Sequence, residues 1–280
     1  MQQKKLTIPD IRNRKNQTPI VELTAYDYPW ARMVDAAGID IILVGDSLGM
    51  VVLGYPDTVC VTMEEMLHHS KAVVRGVERA LVVTDMPFGS YNRSIPDAID
   101  NATRLLKEGH ADAVKLEGGV TMAATVAAIV RAGIPVQGHI GLTPQTATSL
   151  GGFKVQGKNA EAARQLIDDA RALEDAGCFS IVLEAIPAPL AEHITRQVTI
   201  PTIGIGAGAG CDGQVLVIHD LVGLYDRFTP KFVKQYARIN EPVVEALTRY
   251  KEEVENRTFP TEAHSFSMKA EERDKLLDLY

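Results

Sequence analysis

The chain repeats one unit: a short run of β-branched and aliphatic residues, then a stretch with helical spacing, then a glycine. Seven runs are clear: Val21–Thr24, Ile41–Val44, Leu81–Thr84, Ala113–Leu116, Pro135–His139, Ser180–Leu183 and Thr202–Ile205; Val215–Ile218 is a weaker eighth. Between them, Met63–Gly76, Pro96–Glu108, Thr121–Ala132 and Ala160–Ala176 are rich in Ala, Leu, Arg and Glu, with apolar residues at helical period. Gly38, Gly76, Gly109, Gly133 and Gly177 stand where left-handed C-caps are expected. Eight strand–helix units within about 250 residues predict a (β/α)8 TIM barrel, with an open doubly wound sheet as the rival. The expected organisation is one domain over residues 1–280. A barrel core spans about 19–225, and C-terminal helices and tail span 226–280. An N-terminal arm should carry a short helix from Pro9, Lys231–Val254 reads as helical, and a charged tail follows Ser267.

With 29 basic and 36 acidic side chains the net charge is −7, which argues against a nucleic-acid partner. No stretch reaches the ~18 apolar residues of a membrane span, and no apolar core follows Lys4 and Lys5, so a cytoplasmic protein with no membrane partner is expected. Cys60, Cys178 and Cys211 form no CxxC pair and are read as small core or loop residues.

In a barrel the residues after each strand line the active mouth. Here they are mostly acids: Asp46 and Ser47 after the second strand, Asp85 after the third, Glu117 after the fourth, Glu184 after the sixth. His139 ends the fifth. Alternation along a strand puts Lys115 and Glu117 on one face. Any one acid is read equally well as a helix N-cap, but four at strand ends are not. Converging carboxylates repel unless a cation sits among them or one stays protonated. An all-oxygen donor set suits Mg2+ with room for substrate oxygens. The chemistry this favours is enolate formation beside the carbonyl of a 2-oxo acid. A carboxylate removes the α-proton and a lysine adds positive charge.

Two glycine-rich segments are decoys. Gly204-Ile-Gly206-Ala-Gly208-Ala209 fits the dinucleotide fingerprint, but only 72 residues follow Gly208, too few for such a domain, so it is read as a tight turn. Gly152–Asn159 is one residue short of a nucleotide-binding loop and has Asn159 at the magnesium position. It is read as a mobile loop over the mouth. His68 and His69 are expected mid-helix, and His110, His193 and His264 exposed. His219-Asp220 is a weaker version of the strand-end case made for His139.

Eight motifs then follow in order: Thr24-Ala-Tyr-Asp-Tyr28, Leu43-Val-Gly-Asp-Ser-Leu-Gly-Met50, Val114-Lys-Leu-Glu-Gly-Gly119, Gly138-His-Ile-Gly-Leu-Thr-Pro-Gln145, Gly151-Gly-Phe-Lys-Val-Gln-Gly157, Ile203-Gly-Ile-Gly-Ala-Gly208, Asp212-Gly-Gln-Val-Leu216 and Glu262-Ala-His-Ser-Phe266. Together they resemble the ketopantoate (3-methyl-2-oxobutanoate) hydroxymethyltransferase family over nearly the whole chain. The resemblance implies a (β/α)8 barrel and Mg2+. It also implies transfer of a hydroxymethyl group from 5,10-methylenetetrahydrofolate to C3 of 3-methyl-2-oxobutanoate, giving 2-dehydropantoate for pantothenate. By the same resemblance Asp46, Asp85 and Glu117 are metal-site acids, Asp46, Ser47, Asp85 and Lys115 contact the 2-oxo acid, His139 neighbours the substrate, and Glu184 is the general base. A cytoplasmic homo-oligomer, in bacterial members a decamer, is implied as well. Two features depart from the pattern: Cys60 stands where the family usually has proline, and Ser267–Tyr280 runs past its usual end. Two other readings are metal-dependent 2-oxo acid chemistry of the isocitrate lyase and phosphoenolpyruvate mutase type, without the lyases' Lys-Lys-Cys-Gly-His signature, and a non-catalytic 2-oxo acid sensor.

Overall fold

The strand runs assemble as eight parallel strands: β1 (Ile20–Thr24), β2 (Ile41–Val44), β3 (Leu81–Asp85), β4 (Ala113–Glu117), β5 (Val136–Gly141), β6 (Ser180–Glu184), β7 (Thr202–Ile205) and β8 (Gly213–Leu216). This is a computed structural model that describes residues 4–149, 151–277 and 279. Each strand pairs with the next and β1 pairs with β8, with Ile20 opposite Gly213, so the sheet closes and the open-sheet rival is excluded. The helices are α1 (Ile8–Arg12), α2 (Tyr28–Ala36), α3 (Leu48–Val51), α4 (Met63–Val74), α5 (Ile95–Lys107), α6 (Ala123–Arg131), α7 (Ala160–Asp175), α8 (Ala188–Gln197), α9 (Ile218–Leu221), α10 (Asn240–Glu255) and α11 (Ala270–Leu277).

Alternation along the strands divides the core in two. Ile41, Leu43, Leu81, Val83, Ala113, Val182, Ile203 and Val215 fill the barrel. Their neighbours Ile42, Val44, Val82, Val114, Leu116, Ile181 and Leu183 pack outward with the helices. Ile11 of α1, wholly buried, joins the inner cluster and closes its floor. Ion pairs from Arg14 and Arg79 to Asp40 and from Lys15 to Asp212, at 2.7 to 3.0 Å, fasten the arm and this end of the barrel. One inner layer is polar: Gln137 donates to Glu22 and Ser180 at 3.1 and 3.0 Å.

Three expectations need correction. The eighth strand begins at Gly213, because only glycine lets this backbone approach Ile20, whose carbonyl oxygen would lie 2.4 Å from an added Cβ. The C-terminal helix begins at Asn240 rather than Lys231. Pro242 is tolerated in a first turn but not inside a helix running from 231, and residues 236 and 239 instead donate to the carbonyls of Leu221 and Val222. Gly38, Gly133 and Gly177 are left-handed, but Gly76 and Gly109 are not. Those two admit close backbone packing, and His110 takes the positive φ after α5. The tail contains α11. Cys178 is buried, Cys211 half-buried and Cys60 exposed.

Candidate active site

Strand register and the two-residue period decide what meets at the mouth. Asp85 stands opposite Lys115, Glu117 opposite His139, and Gly141 opposite Glu184. Asp46 and Ser47 lie just beyond β2, after Gly45, where an added Cβ would fall 2.8 Å from Ser47 Oγ. All seven residues singled out from the sequence line one cavity of about 630 Å3. Asp46, Asp85, Lys115, Glu117 and His139 are buried, whereas the Glu184 side chain keeps 16% of its surface open.

The polar groups are tightly cross-linked. Lys115 Nζ donates to Asp85 Oδ1 at 2.5 Å, and the Asp46 backbone N–H donates to Asp85 Oδ2 at 3.0 Å. Gln145 Nε2 donates to Asp46 Oδ2 at 2.8 Å and to the Met86 carbonyl at 3.0 Å, while its backbone N–H donates to Glu117 Oε2 at 3.1 Å. Tyr91 donates its hydroxyl to Gln145 Oε1 at 2.6 Å and accepts the Glu117 N–H at 3.3 Å. His139 sits between two carboxylates, Nε2 3.1 Å from Glu184 and Nδ1 3.5 Å from Glu117. Neither contact is aligned as a hydrogen bond, so they act as charge contacts. Ser47 Oγ and the Tyr26 hydroxyl are 2.8 Å apart.

Electrostatics follow from burial and neighbours. Burial first, then Asp85 and Glu117, push the Asp46 carboxyl well above the usual carboxylate range. Burial opposes charge on Lys115, but Asp85, Asp46 and Glu117 outweigh it and hold the ammonium above its ordinary range. Burial likewise opposes a charged His139, yet Glu117 and Glu184 raise its ring to about 9. The cluster thus holds three close acids around one lysine, an excess of negative charge that a divalent cation would relieve.

Asp46, Asp85 and Glu117 offer hard oxygen donors only, the set that suits Mg2+. Among the described residues no three His, Cys, Asp or Glu side chains stand in ready-made ligand positions. The acids here are turned toward Lys115, Gln145 and the Asp46 amide. The donor chemistry fits the ion, and the elevated Asp46 carboxyl marks where its charge is wanted.

Sequence reasoning passed over Gln145, Tyr91 and Tyr26. Gln145 lay inside a quoted motif, but its tie to Asp46 spans 99 residues and appears only once the barrel closes. The segment read as a loop over the mouth contributes Phe153, Lys154 and Val155 to the lining of the cavity. Asn159 N-caps α7 instead of binding phosphate, accepting from the Ala162 N–H at 2.8 Å. At Gly206, with φ +64°, an added Cβ would sit 2.7 Å from the Phe232 ring, so the fingerprint is a turn shaped for that contact. His69 is tied to the Tyr26 carbonyl at 2.6 Å, His110, His193 and His264 are exposed, and Asp220 lines the cavity.

The model of the ketopantoate hydroxymethyltransferase family matches residues 5–262. The chain belongs to that family. The 3-methyl-2-oxobutanoate hydroxymethyltransferase of Heliobacterium modesticaldum is 62% identical over 95% of this chain and 96% of its own. The protein of the same name from Syntrophobacter fumaroxidans is 59% identical over 98% of both. That coverage gives most of the segment after Ser267 a counterpart in a ketopantoate hydroxymethyltransferase relative, although the family model stops earlier. In fold, the chain is similar to phosphoenolpyruvate phosphomutase from Streptomyces platensis subsp. rosaceus, with TM-score 0.60, 15% identity, and coverage of 98% of this chain and 95% of that one. Among the described residues no helix is long and apolar enough to cross a membrane.

Proposed function

We propose that this member of the ketopantoate hydroxymethyltransferase family transfers a hydroxymethyl group from 5,10-methylenetetrahydrofolate to C3 of 3-methyl-2-oxobutanoate, giving 2-dehydropantoate. The observation that carries the reading is that Glu184 lines the same cavity as the Asp46, Asp85, Lys115 and Glu117 cluster and is joined to it through His139. Asp46, Asp85 and Glu117 would hold Mg2+, which when bound supplies positive charge against a developing enolate.

The remaining work falls to the chain's own groups. Lys115, charged and buried, attracts the anionic oxo acid, and the Ser47 hydroxyl orients it. Glu184 takes the C3 proton; it is the most open of the four acids and therefore the one a substrate carbon can reach. His139, charged through its two carboxylate neighbours, positions Glu184 and offsets its charge. Phe153 and Val155 cover the mouth and exclude water from the carbanion. The same reading carries a cytoplasmic homo-oligomer, expected as a decamer. Exposed Val244 and Leu247 on α10, at 55% and 62%, support burial of that helix against another copy.

Exchange of the C3 hydrogen of 3-methyl-2-oxobutanoate, followed by proton NMR in D2O without folate, tests the first half-reaction. The expected result is exchange that requires Mg2+ and stops in Glu184→Gln. No exchange either without folate or with it added would overturn the reading.

A further inference from the structure

The cavity is lined by two unlike sets of side chains: the carboxylate cluster with Lys115, and the aromatic residues Phe153, Tyr225, Phe228 and Phe232. Its volume of about 630 Å3 is of the size that takes a drug-sized ligand, and a small branched oxo acid fills only part of it. Outside the cluster it holds one further buried carboxylate, Asp220, carried by α9 just past β8 and 9% exposed.

Asp220 differs from every other acid of the cavity. Asp85 is paired with Lys115, Asp46 and Glu117 accept from Gln145, and Glu184 contacts His139. Among the described residues no hydrogen-bond donor or cation is paired with the Asp220 carboxylate. Burial alone raises its carboxyl to about 6, which leaves it ionised near neutral pH. A carboxylate partly withdrawn from water and without a donor costs stability that a ligand supplying donors would recover. It repels an anionic oxo acid, so the ligand it fits is an uncharged ring with adjacent N–H and NH2 donors, stacked against aromatic side chains. Lys154 and Lys231, which line the same cavity, are exposed and form no ion pair among the described residues, and so can pair with an anionic tail.

We propose that Asp220 is the recognition carboxylate for the 2-amino-4-oxo pterin ring of the one-carbon donor. The ring's N–H and NH2 edge lies on Asp220, its faces lie along Phe228 and Phe232, and its carboxylate tail runs out toward Lys154 and Lys231. This rests on the folate-dependent activity proposed above. The assignment accounts for a cavity larger than the oxo acid needs.

Tetrahydrofolate is titrated calorimetrically into the Mg2+-loaded protein saturated with 3-methyl-2-oxobutanoate, and the oxo acid is titrated separately. In Asp220→Asn, which replaces an acceptor oxygen by an NH2 facing the ring's own donors, tetrahydrofolate affinity is expected to fall about 10- to 100-fold. Oxo acid affinity is expected to stay at the wild-type value, a split that a merely structural role would not produce. Unchanged tetrahydrofolate affinity, or equal loss for both ligands, would overturn the assignment while the proposed activity stands. A wild-type protein that binds the oxo acid but no tetrahydrofolate would overturn the donor reading and this inference with it. If Asp220→Asn does not fold, the surface variant Lys154→Gln/Lys231→Gln serves. Wild type is expected to bind tetrahydrofolate triglutamate more tightly than the monoglutamate and the double variant to lose that difference; no difference in wild type, or one retained in the variant, would overturn the placement.

Discussion

His139 Nε2 lies 3.1 Å from Glu184 Oε2, joining β5 to β6 at the barrel mouth through a charge contact between a buried ring and a carboxylate that is mostly buried. Glu184→Gln keeps the shape and removes the basic oxygen. C3 exchange and turnover should fall about 100- to 10,000-fold, the usual worth of a positioned base, while oxo acid affinity changes little. His139→Asn should do less, lowering turnover with Glu184 still present but free to move. Exchange rates for the two variants beside wild type check the order, and a loss in His139→Asn equal to that in Glu184→Gln would make the histidine itself the base.

Among the described residues Lys115 is the only cation in the carboxylate cluster besides His139, and it is held by Asp85 at 2.5 Å with both side chains under a tenth exposed. Removing one partner of a buried pair leaves the other charged and unsolvated, at a cost of about 3–5 kcal/mol. Lys115→Met should therefore lose stability of that order in EDTA. Added Mg2+ should recover part of it, since the ion would replace positive charge among the same oxygens. Urea melts with and without Mg2+ decide it; a decrement that the metal leaves untouched would remove Asp85 from the metal site.

How far these contacts could be read beforehand depends on their range along the chain. Lys115 and Glu117 share a face because strands alternate, and acids at the ends of β2, β3, β4 and β6 meet because a parallel barrel gathers those ends. Both facts are local pattern plus fold class. Gln145 was hidden for the opposite reason: it follows a proline in a short turn after β5, and only closure of the sheet brings it to Asp46 and Glu117. Residues 231–239 were misread as helix although Pro242, whose ring is tolerated in a first turn, forbids a helix interior there. Phe232, which lines the cavity with Tyr225 and Phe228, lay inside that reading.

Gln145 ties together Asp46, Glu117, Tyr91 and the Met86 carbonyl. It touches two acids assigned to the metal, so it acts by fixing their direction. Such supporting groups typically cost about 10- to 100-fold in metal affinity or activity when removed. Gln145→Ala should weaken Mg2+ by that factor, and activity should return as Mg2+ is raised. Titration of exchange activity with Mg2+ shows this as a shifted midpoint at near-normal maximum; a fallen maximum with an unmoved midpoint would place Gln145 on the substrate instead.

Beneath the site, Glu22 is wholly enclosed, with Gln137 donating to one carboxyl oxygen at 3.1 Å and the other unpartnered. Burial, only partly offset by Gln137 and Lys115, raises this carboxyl to about 7 from 4.5. The folded chain therefore keeps a proton that the unfolded chain has already released, and stability falls as pH rises through that window. A shift of this size corresponds to a loss of about 3 kcal/mol once the pH exceeds the folded value. Glu22→Gln is neutral throughout and nearly the same shape. It should match wild type near about pH 4, where both side chains are uncharged, and exceed it by up to about 3 kcal/mol near about pH 8. Urea denaturation of the two proteins in EDTA across this range isolates the difference, because every other titrating group is common to both. A difference that does not grow with pH would mean that Lys115 keeps Glu22 ionised in the folded barrel.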